Sequence, residues 1–290
     1  MESAMRWLPL AIVAFAFPLA APAQKPEKKA GAADLAKKAA EAAGIKVPIE
    51  NGELDIEQMR EELGINGFTA PSIENILAEL MALRPIPIEK LWRDVPTEMP
   101  ETRAKIALRS GRIIADGLLA VISEKPSRIE SPARALLRYA KALGVADHIT
   151  KHSKSLIEKA GKENWLDLRK ELVKSQADIE AGMMALKDEE IAHMVSLGGW
   201  LRGLEAVSAL VQEEYTPERA KILIQPEALD YFLERVATLD PEMLKDPVFQ
   251  TIDKNLKAIK AVTVKEGDQP PTEDEVKDIR KRAAEVVDLL

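Results

Sequence analysis

Asp188-Glu-Glu-Ile-Ala-His-Met-Val-Ser-Leu-Gly-Gly-Trp-Leu-Arg-Gly-Leu-Glu-Ala-Val-Ser-Ala-Leu-Val211 decides the fold class. From Ile191 to Val211 only His193, Arg202 and Glu205 are ionisable, and the other residues are apolar or small on every side of a helical wheel. A helix apolar all round is enclosed by other elements. Gly198, Gly199 and Gly203 lie within it, although each glycine costs about 1 kcal/mol against alanine in a helix. They are expected where a neighbouring helix approaches closely, with Trp200 as a core anchor. The expectation is an all-α, multi-helix bundle around this central glycine-containing helix, with helical extensions at both ends.

The wider composition agrees. The chain has 290 residues, 46% hydrophobic and 31% charged, which is globular and allows one or two domains. Aromatics are only 4%, a bias toward helix and away from sheet. A net charge of −7 argues against sequence-independent nucleic-acid binding, which needs a cationic face. The absence of cysteine removes disulfides, thiol catalysis, zinc–thiolate sites and covalent c-type haem.

Residues 1–23 read as a signal peptide: Arg6, the apolar centre Leu8–Ala20, then the small residues Ala21-Pro22-Ala23 before a cut ahead of Gln24. The apolar run is short of the roughly 20 residues of a membrane span, so an exported, periplasmic or secreted protein without a membrane span after cleavage is expected. Residues 24–33 form a polar tether. Residues 34–100 hold short helices at Asp34–Ala43, Leu54–Leu63 and Ser72–Leu83, turn dipeptides at Asn51-Gly52 and Asn66-Gly67, and a connector with Pro85, Pro87, Pro96 and Pro100. The segments Gly44–Glu50 and Gly64–Ala70 are expected as loops in preference to paired strands.

The main bundle spans 101–214. Helices are expected over Thr102–Ser123, from Ser131-Pro132 to Leu143, over Ala146–Ala160 and over Glu163–Lys187, ahead of the central helix. No glycine or proline marks Lys187-Asp188, so a break there and a continuous helix both remain open. Residues 215–290 add helices over Thr216–Ile224, Glu227–Leu239 and Val248–Val264, with a cap-and-proline start at Asp240-Pro241. A capping box at Thr272-Glu-Asp-Glu275 opens the last helix. Gly117-Leu-Leu-Ala-Val121 echoes Gly203-Leu-Glu-Ala-Val207, which suggests that these two helices pack in similar ways, against one another.

Lys105, Arg109, Arg112 and Asp116 share one face of the first long helix, and Arg202 and Glu205 share a face of the central one. Two readings stand side by side. Arg109, Arg112, Asp116, Arg202 and Glu205 form a site for a small anionic ligand or protein partner, since guanidinium forks suit carboxylate and phosphate. If the helices are neighbours, pairs such as Arg112–Glu205 and Arg202–Asp116 are expected within it; alternatively the stripe of the first helix is its solvated side and Arg202–Glu205 is an internal pair that fixes register.

Glu190 and His193 have the Glu-x-x-His spacing of carboxylate metal bundles, and His148 and His152 lie four apart on what reads as an exposed helix start. Non-covalent haem on a histidine with Met183, Met184 or Met194 is a further reading. No Gly-x-Ser-x-Gly, His-Glu-x-x-His, Walker or dinucleotide fingerprint is present, and no motif implies a cofactor. The functional expectation is an exported, non-enzymatic binding or interaction protein of the cell envelope. The alternatives are a metal- or haem-binding bundle and a carboxylate-based hydrolase or lyase.

Overall fold

The computed structural model describes residues 49–50, 53–54, 80–171, 186, 188–265 and 269–290. Two short strands, β1 (Ile49–Glu50) and β2 (Glu53–Leu54), pair antiparallel with Ile49 opposite Leu54. Among the described residues all else that is regular is helical: α1 (Ile88–Leu91), α2 (Arg103–Ile122), α3 (Glu130–Leu143), α4 (Ala146–Gly161), a helical stretch at 165–171, α5 (Glu189–Glu213), α6 (Pro217–Ala220), α7 (Pro226–Ala237), α8 (Pro247–Thr263) and α9 (Glu273–Val287). The expected signal peptide, tether, Asp34–Ala43 helix, Gly64–Ala70 segment and residues 172–185 lie outside the described residues. Leu54, expected to open a helix, instead sits in β2.

The fold is organised by α5, whose residues Leu197, Leu201, Ala206 and Val211 are completely enclosed. It runs in the same direction as α2: Arg103 meets Asp188 at one end and Asp116 meets Arg202 further along. The two helices touch backbone to backbone. A Cβ on Gly198 would lie 1.9 Å from the Leu108 carbonyl oxygen, and one on Gly111 would lie 1.9 Å from that of Val195. The close approach therefore uses Gly198 and Gly111. Gly203, expected to serve the same end, has nothing within 4 Å, and Gly117 faces Pro132 instead. The echoed pentapeptides thus mark two helices that do pack together, but not through their shared glycines. Although α5 is long and apolar enough to cross a membrane, it lies inside the bundle. α9 packs on α5 from the other side, α3 and α4 extend the bundle from α2, and α8 joins α7 to α9.

Local chemistry explains most boundaries. Thr102 caps α2 by accepting from the Lys105 amide, α3 ends on left-handed Gly144, and Thr272 with Glu275 forms a complete capping box on α9. Two starts differ from the sequence expectation, and a third decides between readings it left open. α3 opens at Glu130, so Pro132 falls within its first turn, where a missing N–H leaves nothing unsatisfied. The cap on α8 is Asp246 ahead of Pro247, while Asp240 accepts from the Glu242 amide and opens a 3₁₀ turn. Asp188 is non-helical, so α5 begins afresh at Glu189, and Arg103 Nη2 holds the Asp188 carboxylate at 2.6 Å.

The proline-bearing connector, residues 84–100, is a strap across the bundle. Ile88 and Leu91 join the same core as α2 and α5, and Trp92 lies under the Arg128 guanidinium at 4.8 Å. Between α1 and α2 the strap has no helix to pair its carbonyls, which then require donors. Arginines supply them. Arg202 donates to the Leu91 oxygen, Arg112 to Asp94 at 2.9 Å, Arg138 to Pro96 at 3.1 Å and Arg109 to Glu98 at 2.8 Å.

Candidate functional site

The sequence singles out Arg109, Arg112, Asp116, Arg202 and Glu205, and the fold brings the last four into one buried cluster, so Arg112 and Asp116 are not on a solvated side of their helix. Arg202, 1% exposed, donates from Nε to Asp116 at 2.7 Å and from Nη1 to Glu205 at 3.2 Å. Glu205 takes its other partner from the strap: Arg93 Nε reaches both carboxylate oxygens at 3.0 and 3.1 Å, and Arg93 Nη1 reaches Asp288 at 2.6 Å. Arg112 Nε stands 3.7 Å from Asp116.

The anticipated Arg202–Asp116 pair is present, while Arg93 occupies the place anticipated for Arg112 beside Glu205. Burial pushes the Asp116 carboxyl up although Arg202 and Arg112 pull it down, and burial lowers Arg112. Three guanidiniums (Arg93, Arg112, Arg202) face three carboxylates (Asp116, Glu205, Asp288), so the cluster holds no surplus positive charge for an anion. Arg109 lies apart, on the Glu98 carbonyl. Arg93 escapes sequence reasoning because the strap has no helical period to place it.

Glu190 and His193 line a cleft of about 160 Å³ with Glu189, Met194, Arg235, Thr238 and Leu239, formed where the first turns of α5 meet the end of α7. His193 is buried, its ring edge-on to Tyr231 at 5.6 Å, and its Nδ1 lies 2.6 Å from the Tyr231 hydroxyl. Burial, then the nearby Arg235 charge, lowers His193 to about 4, and burial raises Tyr231 to about 12. Both groups are therefore neutral at pH 7. The phenol is the stronger acid of the two and donates to Nδ1, which leaves the imidazole proton on Nε2.

Arg235 lies over the Tyr231 ring at 5.3 Å, four residues along the same helix, and its Nε is buried without a hydrogen-bond partner. Burial, then Asp188 and Asp240, raises the Glu190 carboxyl. Among the described residues no third acidic or histidine ligand joins Glu190 and His193 into a group able to hold a metal ion, and Arg235 adds positive charge beside them. Tyr231 and Arg235 leave only an i, i+4 pair in the sequence, a spacing shared by many surface pairs.

A pH dependence follows for His193. Its folded value lies below the ordinary 6.5, so the unfolded chain takes up the proton first as pH falls. The contribution to stability is complete above pH 6.5 and declines by roughly 3 kcal/mol toward pH 4. The expected result is a His193 ring that shows no protonation by NMR at pH 5.5. An inflection near 6.5 refutes the buried, neutral ring.

His152, expected on an exposed helix start, is instead buried, with Nδ1 2.9 Å from Glu171. Burial opposes the Glu171 charge, but hydrogen bonds from Lys159, His152 and Ser155 hold its carboxyl down at about 2. This cluster ties α4 to the 165–171 stretch. Met183 and Met184 lie outside the described residues, and Met194 is core. The chain matches no family model, no curated protein and no solved structure.

Proposed function

We propose that the protein is an exported, non-enzymatic helical binding protein of the cell envelope whose ligand is a small carboxylate, held in the cleft at His193 and Arg235. One observation carries this reading. Among the described residues Arg235 is the one arginine whose guanidinium engages neither a carboxylate, a carbonyl nor an amide oxygen; Arg84, Arg93, Arg103, Arg109, Arg112, Arg128, Arg134, Arg138, Arg169, Arg202, Arg219, Arg280 and Arg282 all do. An unpaired guanidinium beside a buried imidazole N–H is a matched pair of donors for a carboxylate. The anionic ligand first sought at Arg109, Arg112, Asp116, Arg202 and Glu205 thus moves to Arg235, and the first set serves to clamp the strap. Export rests on the Leu8–Ala20 and Ala21-Pro22-Ala23 pattern. The cleft is too small for a porphyrin, which disfavours haem there.

Calorimetric titration of the exported protein with acetate tests the reading. The expected Kd is on the order of 1 mM, about −4 kcal/mol, suited to so small a ligand. Arg235→Gln is expected to abolish the heat without moving the melting temperature. Absence of heat with the parent protein, together with unshifted His193 ring signals, overturns the proposal.

A further inference from the structure

The cleft that this reading invokes has two walls of opposite charge that do not neutralise each other. Glu189 and Glu190 project from the first turn of α5, and Arg235 projects from the last turn of α7. None of the three makes an ion pair among the described residues, although flexible side chains of opposite sign around so small a space ordinarily would. Asp188 and Asp240 add negative charge on the Glu190 side. A simple anion therefore meets one favourable wall and one repulsive wall. A simple cation meets the reverse.

A ligand carrying both charges satisfies both walls at once. The volume of about 160 Å³ admits a charged head group with a short side chain. Met194 and Leu239 supply an apolar floor.

We infer that the cleft binds a free, small aliphatic α-amino acid, its carboxylate on Arg235 and the His193 Nε2–H and its ammonium on Glu190. This rests on the carboxylate-binding reading above and goes further, because it requires the acidic wall to contribute. His193 stays a donor because Tyr231 occupies its other nitrogen. Thr238, also in the lining, carries a hydroxyl that donates to the Arg235 carbonyl at 3.0 Å, which fixes the end of α7 under the guanidinium.

The test compares L-alanine, acetate and methylammonium by calorimetry and by the His193 ring signals, on the parent protein and on Arg235→Gln and Glu190→Gln. Alanine is expected to bind about tenfold tighter than acetate or methylammonium, one additional charge contact corresponding to about 1.4 kcal/mol. Glu190→Gln is expected to weaken alanine about tenfold while leaving acetate unchanged or improved. Arg235→Gln is expected to remove both. Glu190 is exposed and Arg235 half-buried, so both variants should keep the parental melting temperature, which circular dichroism verifies. Equal affinity for acetate and alanine, or alanine binding indifferent to Glu190→Gln, overturns the amino-acid inference and leaves the carboxylate site standing. No binding of alanine or acetate removes both.

Discussion

Gly198→Ala is expected to be among the most destabilising single substitutions in the protein, despite improving helix propensity. The new Cβ would sit 1.9 Å from the Leu108 carbonyl oxygen and 2.7 Å from its carbonyl carbon. Both are backbone atoms of α2, so no side chain can swing aside, and relief requires the two central helices to separate. That separation would loosen the packing of Leu108, Ile113, Leu197 and Leu201, all essentially inaccessible to water. Overpacking of this kind costs about 1–3 kcal/mol and more when backbones must part. The expectation here is about 3–5 kcal/mol, or a fall in Tm of about 10 °C. Gly203→Ala is the opposing control. With nothing within 4 Å of its added methyl, it should gain up to about 1 kcal/mol from propensity alone. Thermal melts of the two variants decide the matter. If both rise together, α2 and α5 do not meet where Gly198 and Leu108 place them.

Arg202→Ala is the second large effect. It removes three donors at once: the Nε bond to Asp116, the Nη1 bond to Glu205 and the bond to the Leu91 carbonyl. Glu205 retains Arg93. Asp116 does not fare so well, since its Oδ2 already lacks a hydrogen bond and its Oδ1 would lose its only one. A buried carboxylate left in that state costs about 3–5 kcal/mol. The cost belongs to the broken pair and not to the absence of charge as such. Arg202→Met combined with Asp116→Asn is therefore expected to recover at least about half of it, by the logic that a buried ion pair adds little over a well-packed neutral one. Denaturant titration of the single and double variants measures this coupling. Simple additivity of the two losses would show that Asp116 does not depend on Arg202.

Much of the architecture is legible because it depends on local pattern. The absence of any polar face between Ile191 and Val211 identifies the central helix before any partner is known, and Thr272-x-x-Glu275 announces the start of α9 through bonds made within four residues. What stays hidden depends on partners distant in sequence. Asp188 breaks the chain into α5 without glycine or proline, where an arginine 85 residues earlier captures its side chain. Asp240-Pro241 and Asp246-Pro247 carry the same start signal, and only the second opens a long helix; there Lys105 of α2 meets the Asp246 carboxylate.

The site follows the same division. A buried role for Arg202 and Glu205 is readable from their apolar surroundings. The use of Arg93 beside Glu205 is not, nor is the isolation of Arg235, because an unpaired guanidinium is defined by what fails to come near it.

The arginine-stitched strap also fixes an order of assembly. Its residues leave the ribosome before the guanidiniums that hold its carbonyls, which arrive with Arg109, Arg112, Arg138 and finally Arg202. Its own Arg93 awaits Glu205, 112 positions later, and Asp288, 195 positions later. The strap is thus fastened by residues made after it, and it cannot be locked in place before Arg202 has followed.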